Sequence, residues 1–298
     1  MLCSAVWQAP AQSNVYSLNV VGYYVVILTP GWNLVANQLI PATNYNANSV
    51  LTGPPVDGSL LYRFNPATQG YSDAGTYLAG VGWYPPSGNT NDPALDVPLG
   101  EGVLIWTPQG WTNVFVGEVP QGDLTNQVPA GYSLKASIIP QAGGLSTVLG
   151  FPAHPDDKVW RWRVAPPVLQ FYNFDMYDLV WYPDEPSPNV GEGFFVQAVD
   201  SRLWIRSFIV QAAPSPPVSA MASLASSATI QPPIWIVGIS LKNGSVSLNI
   251  GNGGIRTYGV QFSHDRASWY TVASGQTSTV WQEPIRPGTQ GSYRLVLQ

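Results

Sequence analysis

The chain has 298 residues, of which 17 are acidic and 12 are basic, so its formal net charge is −5. Apolar residues form 45% of the sequence and charged residues only 10%, a composition that excludes a chain kept disordered by its charge. The single cysteine excludes a disulfide scaffold, the acidic balance disfavours a nucleic-acid binder, and no apolar run is long enough for a membrane span.

The first residues, 1–11, are predicted to be the remnant of a signal peptide. Ala9-Pro10-Ala11 has the small-x-small form of a signal-peptidase site and follows a short apolar stretch. The alternative is an ordinary disordered terminus. The scarcity of Lys and Cys is typical of an exported protein, so the sequence predicts a secreted protein, either extracellular or at the cell surface.

An uncharged segment, Asn14–Leu28, comes next and is rich in Val and Tyr. Such a segment predicts a β-strand, and an unpaired strand of this kind aggregates readily. It therefore either completes the first domain, which we favour, or adds to the sheet of a neighbouring molecule.

Five short motifs occur twice in the same order, with the two copies separated by 91 to 100 positions. The recurrence predicts two tandem homologous domains, each a small β-barrel or sandwich, over residues 12–122 and 123–211. The motif residues that we take as structurally equivalent are Gly31, Trp32, Arg63 and Glu101 in the first copy and Gly131, Tyr132, Arg161 and Glu192 in the second. Pro, Gly, Asn and Asp separate the short apolar stretches in both copies, which favours strands over helices.

Two structural expectations follow from the repeated motifs. Trp32 and Tyr132 are predicted to occupy equivalent buried positions. A glutamate buried without a partner is unfavourable, and each copy has one arginine at an equivalent strand position. The sequence therefore predicts that Arg63 contacts Glu101 and that Arg161 contacts Glu192.

The rest of the chain is predicted to be a linker, residues 212–233, and a β-sandwich, residues 234–298. The linker is rich in Pro, Ala and Ser. In the sandwich, Asn243-Gly244 between alternating stretches predicts a two-residue hairpin turn. This register pairs Leu241 with Val246, Ile239 with Leu248 and Val237 with Ile250, and it places all six side chains on one face.

Two sets of motifs resemble known families. The Gly-Trp-Asn-Leu opening, the Tyr-Arg-Phe or Trp-Arg-Trp middle and the Gly-Glu-Gly close resemble a repeat of uncharacterised secreted bacterial proteins, over roughly residues 14–211. The tail, with Tyr258, Val260, Phe262, Trp269 and Tyr293, is similar to fibronectin type III and immunoglobulin-like modules. The resemblance implies secretion and a non-catalytic role. The second copy departs from the pattern at Tyr132-Ser133-Leu134-Lys135 and at Arg163-Val164, where a ligand role would differ between the copies.

The sequence predicts a protein that is not an enzyme and uses no cofactor or metal. Its histidines, His154 and His264, do not neighbour a nucleophile motif, and Cys3 lies in the signal remnant. A glycosidase uses two carboxylates, and Glu101 and Glu192 match that number. Because each copy has one of them at an equivalent position, a structural role is favoured. A calcium site at Asp92 and Asp96 is an alternative that lacks the full set of oxygen ligands.

The leading functional prediction is a secreted structural or adhesive protein that self-assembles into filaments. Net charges of −5, −3 and +3 for residues 1–122, 123–211 and 212–298 predict attraction between the tail of one subunit and the repeats of another. The alternative is a carbohydrate-binding protein. The candidate residues for stacking on sugar rings lie next to loops and are Trp83, Tyr84, Trp181 and Tyr182. The predicted partners are further copies, other surface proteins or glycans.

Overall fold

The computed structural model describes residues 19–164, 167–210, 234–242, 244–254, 256–285 and 290–298. This part of the chain is almost entirely antiparallel β-sheet, which confirms the predicted all-β class. Its one α-helix is the single turn α1, Ala47–Val50, and a 3₁₀ turn spans Pro93–Leu95. The proposed signal remnant and linker lie outside the described residues.

A first unit and a second unit correspond to the two copies of the motifs. The strands of the first unit are β1 (Val21–Leu28), β2 (Gly31–Ala36), β3 (Leu60–Tyr62), β4 (Phe64–Asn65), β5 (Gly70–Tyr71), β6 (Gly75–Leu78), β7 (Gly82–Tyr84), β8 (Gly102–Thr107) and β9 (Trp111–Glu118). Those of the second are β10 (Gly122–Val128), β11 (Gly131–Lys135), β12 (Lys158–Val164), β13 (Pro167–Phe174), β14 (Trp181–Tyr182), β15 (Phe194–Ala198) and β16 (Arg202–Phe208).

Both units have the same order of paired strands. The main sheet is β2-β8-β3-β6-β7 in the first unit and β11-β15-β12-β13-β14 in the second. In each unit the preceding strand pairs with the final one, as β1 with β9 and β10 with β16. The added pair β4–β5 belongs to the first unit alone among the described strands.

The turn into each main sheet explains part of the repeated motif. Gly31 and Gly131 have φ angles of 94° and 84°, a left-handed conformation that favours glycine. Asn33 then closes the turn, because its amide nitrogen donates to the Thr29 carbonyl oxygen at 2.9 Å and its amide oxygen accepts from the Thr29 backbone N–H at 2.9 Å. Position 33 faces inward, so its neighbours at 32 and 34 face the opposite side of the strand.

The described residues of the tail form six strands, as the predicted β-sandwich requires. They are β17 (Trp235–Lys242), β18 (Ser245–Gly251), β19 (Tyr258–Ser263), β20 (Tyr270–Gln276), β21 (Val280–Pro284) and β22 (Gly291–Leu297). A three-stranded sheet, β17-β18-β21, packs against the sheet that contains β20, β19 and β22. The core between them is built from Ile236, Val246, Leu248, Val260 and Leu295.

One predicted pairing in the tail hairpin is wrong. Leu241 pairs with Val246 and Ile239 with Leu248, as predicted, but a β-bulge between Ile236 and Gly238 places Ile236 opposite Ile250. The bulge adds one residue to the strand and reverses the side-chain alternation beyond it. Val237 is therefore 63% exposed, and Ile236 takes its place in the core.

The strand β1 joins the tail to the first unit. It pairs along its whole length with β9, and Val21–Tyr23 also pair with Gly291–Tyr293 of β22. The result is one five-stranded sheet, β20-β19-β22-β1-β9. The segment predicted to complete the first domain does pair there, and it also binds the tail of its own chain. The tail is therefore packed on the first unit, which differs from the separate module expected to reach a neighbouring subunit.

Candidate functional site

The two predicted Arg–Glu contacts are confirmed. Arg63 Nη2 lies 2.6 Å from Glu101 Oε2. Arg161 makes a two-pronged contact, with Nε 2.7 Å from Glu192 Oε1 and Nη2 2.7 Å from Glu192 Oε2. The second pair is the better shielded, since both of its side chains are largely buried whereas the Glu101 side chain is half-exposed.

The Glu192 carboxylate also organises its own loop. It accepts hydrogen bonds from the backbone and side-chain nitrogens of Asn189 at 2.9 and 3.1 Å. Burial acts to lower the pKa of Arg161, but interactions with Glu192, and to a lesser extent with Tyr172, outweigh burial, and the pKa is raised. Each glutamate is therefore paired with an arginine of its own unit.

The Gly-Glu-Gly loop of each unit binds to the main sheet of the other unit. Glu101 forms a β-bridge with Lys135, and Val35 forms the matching bridge with Glu192. The two loops meet closely, because a Cβ atom built on Gly102 would lie 3.1 Å from the Gly193 Cα. This contact requires glycine at 102 and 193. The glycines before the glutamates, Gly100 and Gly191, have φ angles of 77° and 79°, a conformation that also favours glycine.

Two equivalent clefts result from this exchange of loops. The cleft that contains Val35, which we call the valine cleft, has a volume of about 340 Å³ and is lined also by Asn33, Trp162 and Glu192. The cleft that contains Lys135, the lysine cleft, has a volume of about 440 Å³. Its lining residues are Phe64, Pro66, Ala67, Leu99, Glu101, Thr125, Asn126, Gln127, Pro129, Ser133, Leu134 and Lys135.

Lys135 is a buried lysine at the position that valine holds in the first unit. Burial lowers the pKa of Lys135 to about 8, and the charge of Glu101 only partly opposes this shift. Within the described ranges, no hydrogen bond or ion pair holds the Lys135 ammonium. The hydroxyl of Ser133 is buried nearby on the same strand, and it too has no hydrogen-bond partner in the part of the chain that the structure describes. Sequence comparison of the copies marked this departure but did not identify Lys135 as a site residue.

The predicted burial of Trp32 and Tyr132 is wrong, although their positions are equivalent. Each residue is 40% exposed, because the inward-facing positions of the two strands are 33 and 133. Trp32 packs on Tyr62 with 5.9 Å between ring centroids, and Tyr132 packs on Trp160 with 5.5 Å. The same surface arrangement of two rings therefore occurs in both units.

These rings belong to a continuous set that we call the aromatic strip. The centroids of neighbouring rings in the strip are 5.3 to 6.4 Å from each other. The link between Phe195 and Trp160 is different, because these two residues lie opposite each other on paired strands. Phe64 of the first unit meets Phe195 of the second at 5.8 Å, so the strip crosses both units. The strip comprises Trp32, Tyr62, Tyr71, Phe64, Phe195, Trp160, Tyr132 and Phe171.

The stacking residues proposed from the sequence divide into two classes. Trp83 and Trp181 are only 1% and 7% exposed and belong to the cores of their units, so their predicted exposure is wrong. Asn48 holds the backbone of Trp83 in place by hydrogen bonds to its N–H and carbonyl groups, of 2.7 and 2.9 Å. Tyr84 and Tyr182 are exposed, but neither ring belongs to the aromatic strip.

The histidines lie in separate places. His154 Nδ1 contacts Asp200 Oδ2 at 3.1 Å, and His264 Nδ1 contacts the Gln290 carbonyl oxygen at 3.1 Å. Asp92 caps the 3₁₀ turn by accepting from the Ala94 backbone N–H at 2.9 Å. No group of three or more His, Cys, Asp or Glu residues suited to a metal is present among the described residues.

Comparison with protein-family models and with curated proteins finds no match for this chain. In the described ranges, no helix has the length and apolar character needed to cross a membrane. The candidate site is therefore argued from its geometry alone. Its two main features are the aromatic strip and the lysine cleft.

Proposed function

We propose that this chain is a non-enzymatic adhesive protein of the cell surface or extracellular space, and that it binds glycans through the aromatic strip. The observation that carries the proposal is an equivalent ring pair at the surface of both units: Trp32 and Tyr132 are each exposed, and each packs on a half-buried ring, Tyr62 and Trp160 respectively. The predicted signal remnant and the scarcity of Lys and Cys support the location.

The strip suits a sugar polymer for two physical reasons. Aromatic faces offer a large, flat, apolar surface that loses little conformational entropy on binding, and the C–H faces of sugar rings are complementary to such a surface. A contiguous exposed apolar patch on a folded protein also marks an interaction site more often than it serves stability. The core rings, such as Trp83, are already buried and do not contribute to this surface.

The two units hold the strip in a defined geometry. The amide group of Gln69 in the first unit accepts from the Tyr132 backbone N–H at 2.9 Å and donates to the Tyr132 carbonyl oxygen at 3.0 Å. This double hydrogen bond fixes the second ring pair relative to the loop of the first unit. A surface fixed before binding loses less entropy when a ligand binds.

Glycan binding is tested by removing one ring from each pair. The purified full chain is screened on a glycan array, and the affinity for the best ligand is measured by isothermal titration calorimetry. We expect Trp32→Ala and Tyr132→Ala each to weaken binding about tenfold, the effect of losing a central aromatic contact. The control is Tyr177→Ala, which removes an exposed ring outside the strip. Equal affinities of all three variants and the unmodified chain would rule out the strip as the binding surface.

Self-association is a second candidate function, favoured by strand β16. In the described part of the chain β16 pairs with β10 alone, and its outward residues Leu203 and Ile205 are exposed. An apolar edge strand is a surface on which a second copy can add.

If this edge joins copies, Ile205→Lys will shift the sedimentation profile of the full chain from oligomer to monomer. Tyr177→Lys, which adds the same charge at an exposed position away from this strand, is the control. A wild-type chain that sediments as a monomer at high concentration excludes this assembly.

A further inference from the structure

The lysine cleft and the aromatic strip are parts of one surface. Phe64 lines the cleft and also links the strip between the two units, with its ring 5.3 Å from Tyr71 and 5.8 Å from Phe195. A ligand that lies along the strip therefore passes the mouth of the cleft. The volume of about 440 Å³ falls in the range of small-molecule sites.

Among the charged groups that the structure describes at the lysine cleft, the Lys135 ammonium has no ion-pair partner. Glu101 is engaged by Arg63, whose Nη2 is 2.6 Å from Glu101 Oε2. The Lys135 ammonium has no ion-pair partner among the described residues, although burial penalises its charge. A buried charge without a hydrogen-bonded partner is unfavourable. The charge of Glu101, which Arg63 holds, offsets that cost only in part, so an anion that enters the cleft gains a direct contact with the ammonium.

The valine cleft provides an internal comparison. It has the same position between the units, and its glutamate, Glu192, is likewise held by an arginine, Arg161. At the position of Lys135 the valine cleft has Val35. At the position of Ser133, whose hydroxyl has no partner among the described residues, it has Asn33, and the Asn33 amide forms hydrogen bonds within its own turn. The fold is therefore satisfied by valine at this position, and the lysine serves a purpose other than folding.

We propose that the lysine cleft binds an acidic sugar residue of the glycan, with the sugar carboxylate at the Lys135 ammonium. The ring of that residue packs towards Phe64, while Ser133, Thr125 and Gln127 offer polar groups to its hydroxyls. This inference rests on the proposed function and deepens it, because it names the class of glycan as a uronic-acid polymer.

The experiment uses a matched pair of ligands with the full-length chain. One is a tetramer of galacturonic acid, and the other is its methyl ester, which has the same rings and hydroxyls but no charge. At pH 6.5 we expect calorimetry to show affinity for the acid at least tenfold higher than for the ester, as a charge-assisted hydrogen bond gives. Lys135→Val is expected to reduce this ratio to about one. The control is Lys242→Val, which removes the same charge from an exposed position in the tail.

A second measurement observes Lys135 directly. The chain has only three lysines, Lys135, Lys158 and Lys242, so carbon-13 labelling of lysine gives three Cε resonances that the two variants assign. We expect the Lys135 resonance to titrate near pH 8 in the free protein and at a higher pH with the acid tetramer bound, since a bound carboxylate favours the ammonium.

The outcomes separate this inference from the proposed function. Equal affinities for acid and ester, both lowered by Trp32→Ala, overturn the acidic-sugar site and leave glycan binding by the strip in place. Binding of the acid that shifts Lys135 but is unaffected by Trp32→Ala supports the cleft and overturns the strip. Absence of binding by either ligand, with an unchanged Lys135 titration, overturns the inference as well.

Discussion

Lys135→Val is expected to raise the free energy of unfolding by about 3 kcal/mol at pH 7, an unusual gain from a single substitution. The pKa of Lys135 falls from an ordinary value of 10.5 to about 8 on folding. At pH 7 the chain therefore buries a charge that the folded state disfavours. Valine at the equivalent position, Val35, packs in the core of the first unit, so the substitution has a precedent within the chain.

The stability gain has a definite pH dependence. Between pH 8 and pH 10.5 the unfolded state holds more protons on this lysine than the folded state does, so the stability of the unmodified chain rises with pH across that window. The advantage of the valine variant is therefore full below pH 8 and declines above it. Urea denaturation at pH 7, 8 and 9.5 measures both effects. A difference between variant and unmodified chain that is constant over this range would contradict the assignment.

Glu192→Ala is expected to destabilise the chain by about 3 kcal/mol, because it leaves the Arg161 guanidinium largely buried without its partner. The variant also removes the acceptor for both nitrogens of Asn189. The matched control is Glu101→Ala in the first unit. Its side chain is 41% exposed, compared with 12% for Glu192, so solvent screening makes the first pair worth much less.

Thermal and urea unfolding of the two variants test this contrast. A double variant, Arg161→Leu with Glu192→Leu, is expected to recover most of the lost stability, since paired apolar residues avoid the isolated charge. Equal losses in Glu101→Ala and Glu192→Ala would show that burial does not govern these pairs.

Local patterns predicted the elements and one class of contact. The strands of the tail follow from alternation and turn residues, and the Arg–Glu contacts follow because the same two residue types recur at equivalent places in both copies. Pairing Arg161 with Glu192 needed only the observation that a glutamate between glycines at a strand entry requires a partner. Such contacts can be predicted because both partners recur at equivalent positions of the two copies.

The exposed face of a strand was not predictable in the same way. Trp32 and Asn33 are neighbours on β2, and alternation alone does not say which of them faces the core, so large size favoured the wrong residue. A single bulge had the same consequence for Val237, whose face reverses with one extra residue. The lysine cleft depends on contacts between units, which sequence periodicity within one unit does not report.

The position of β1 between β9 and β22 predicts that this sheet is completed late in folding. Val21 pairs with Tyr293, a separation of about 270 positions, and contacts of such long range form late. Until β22 has been synthesised, Val21 and Tyr23 lack the tail residues that bury them. Loop-closure entropy increases only logarithmically with length, so the delay affects folding rate more than final stability.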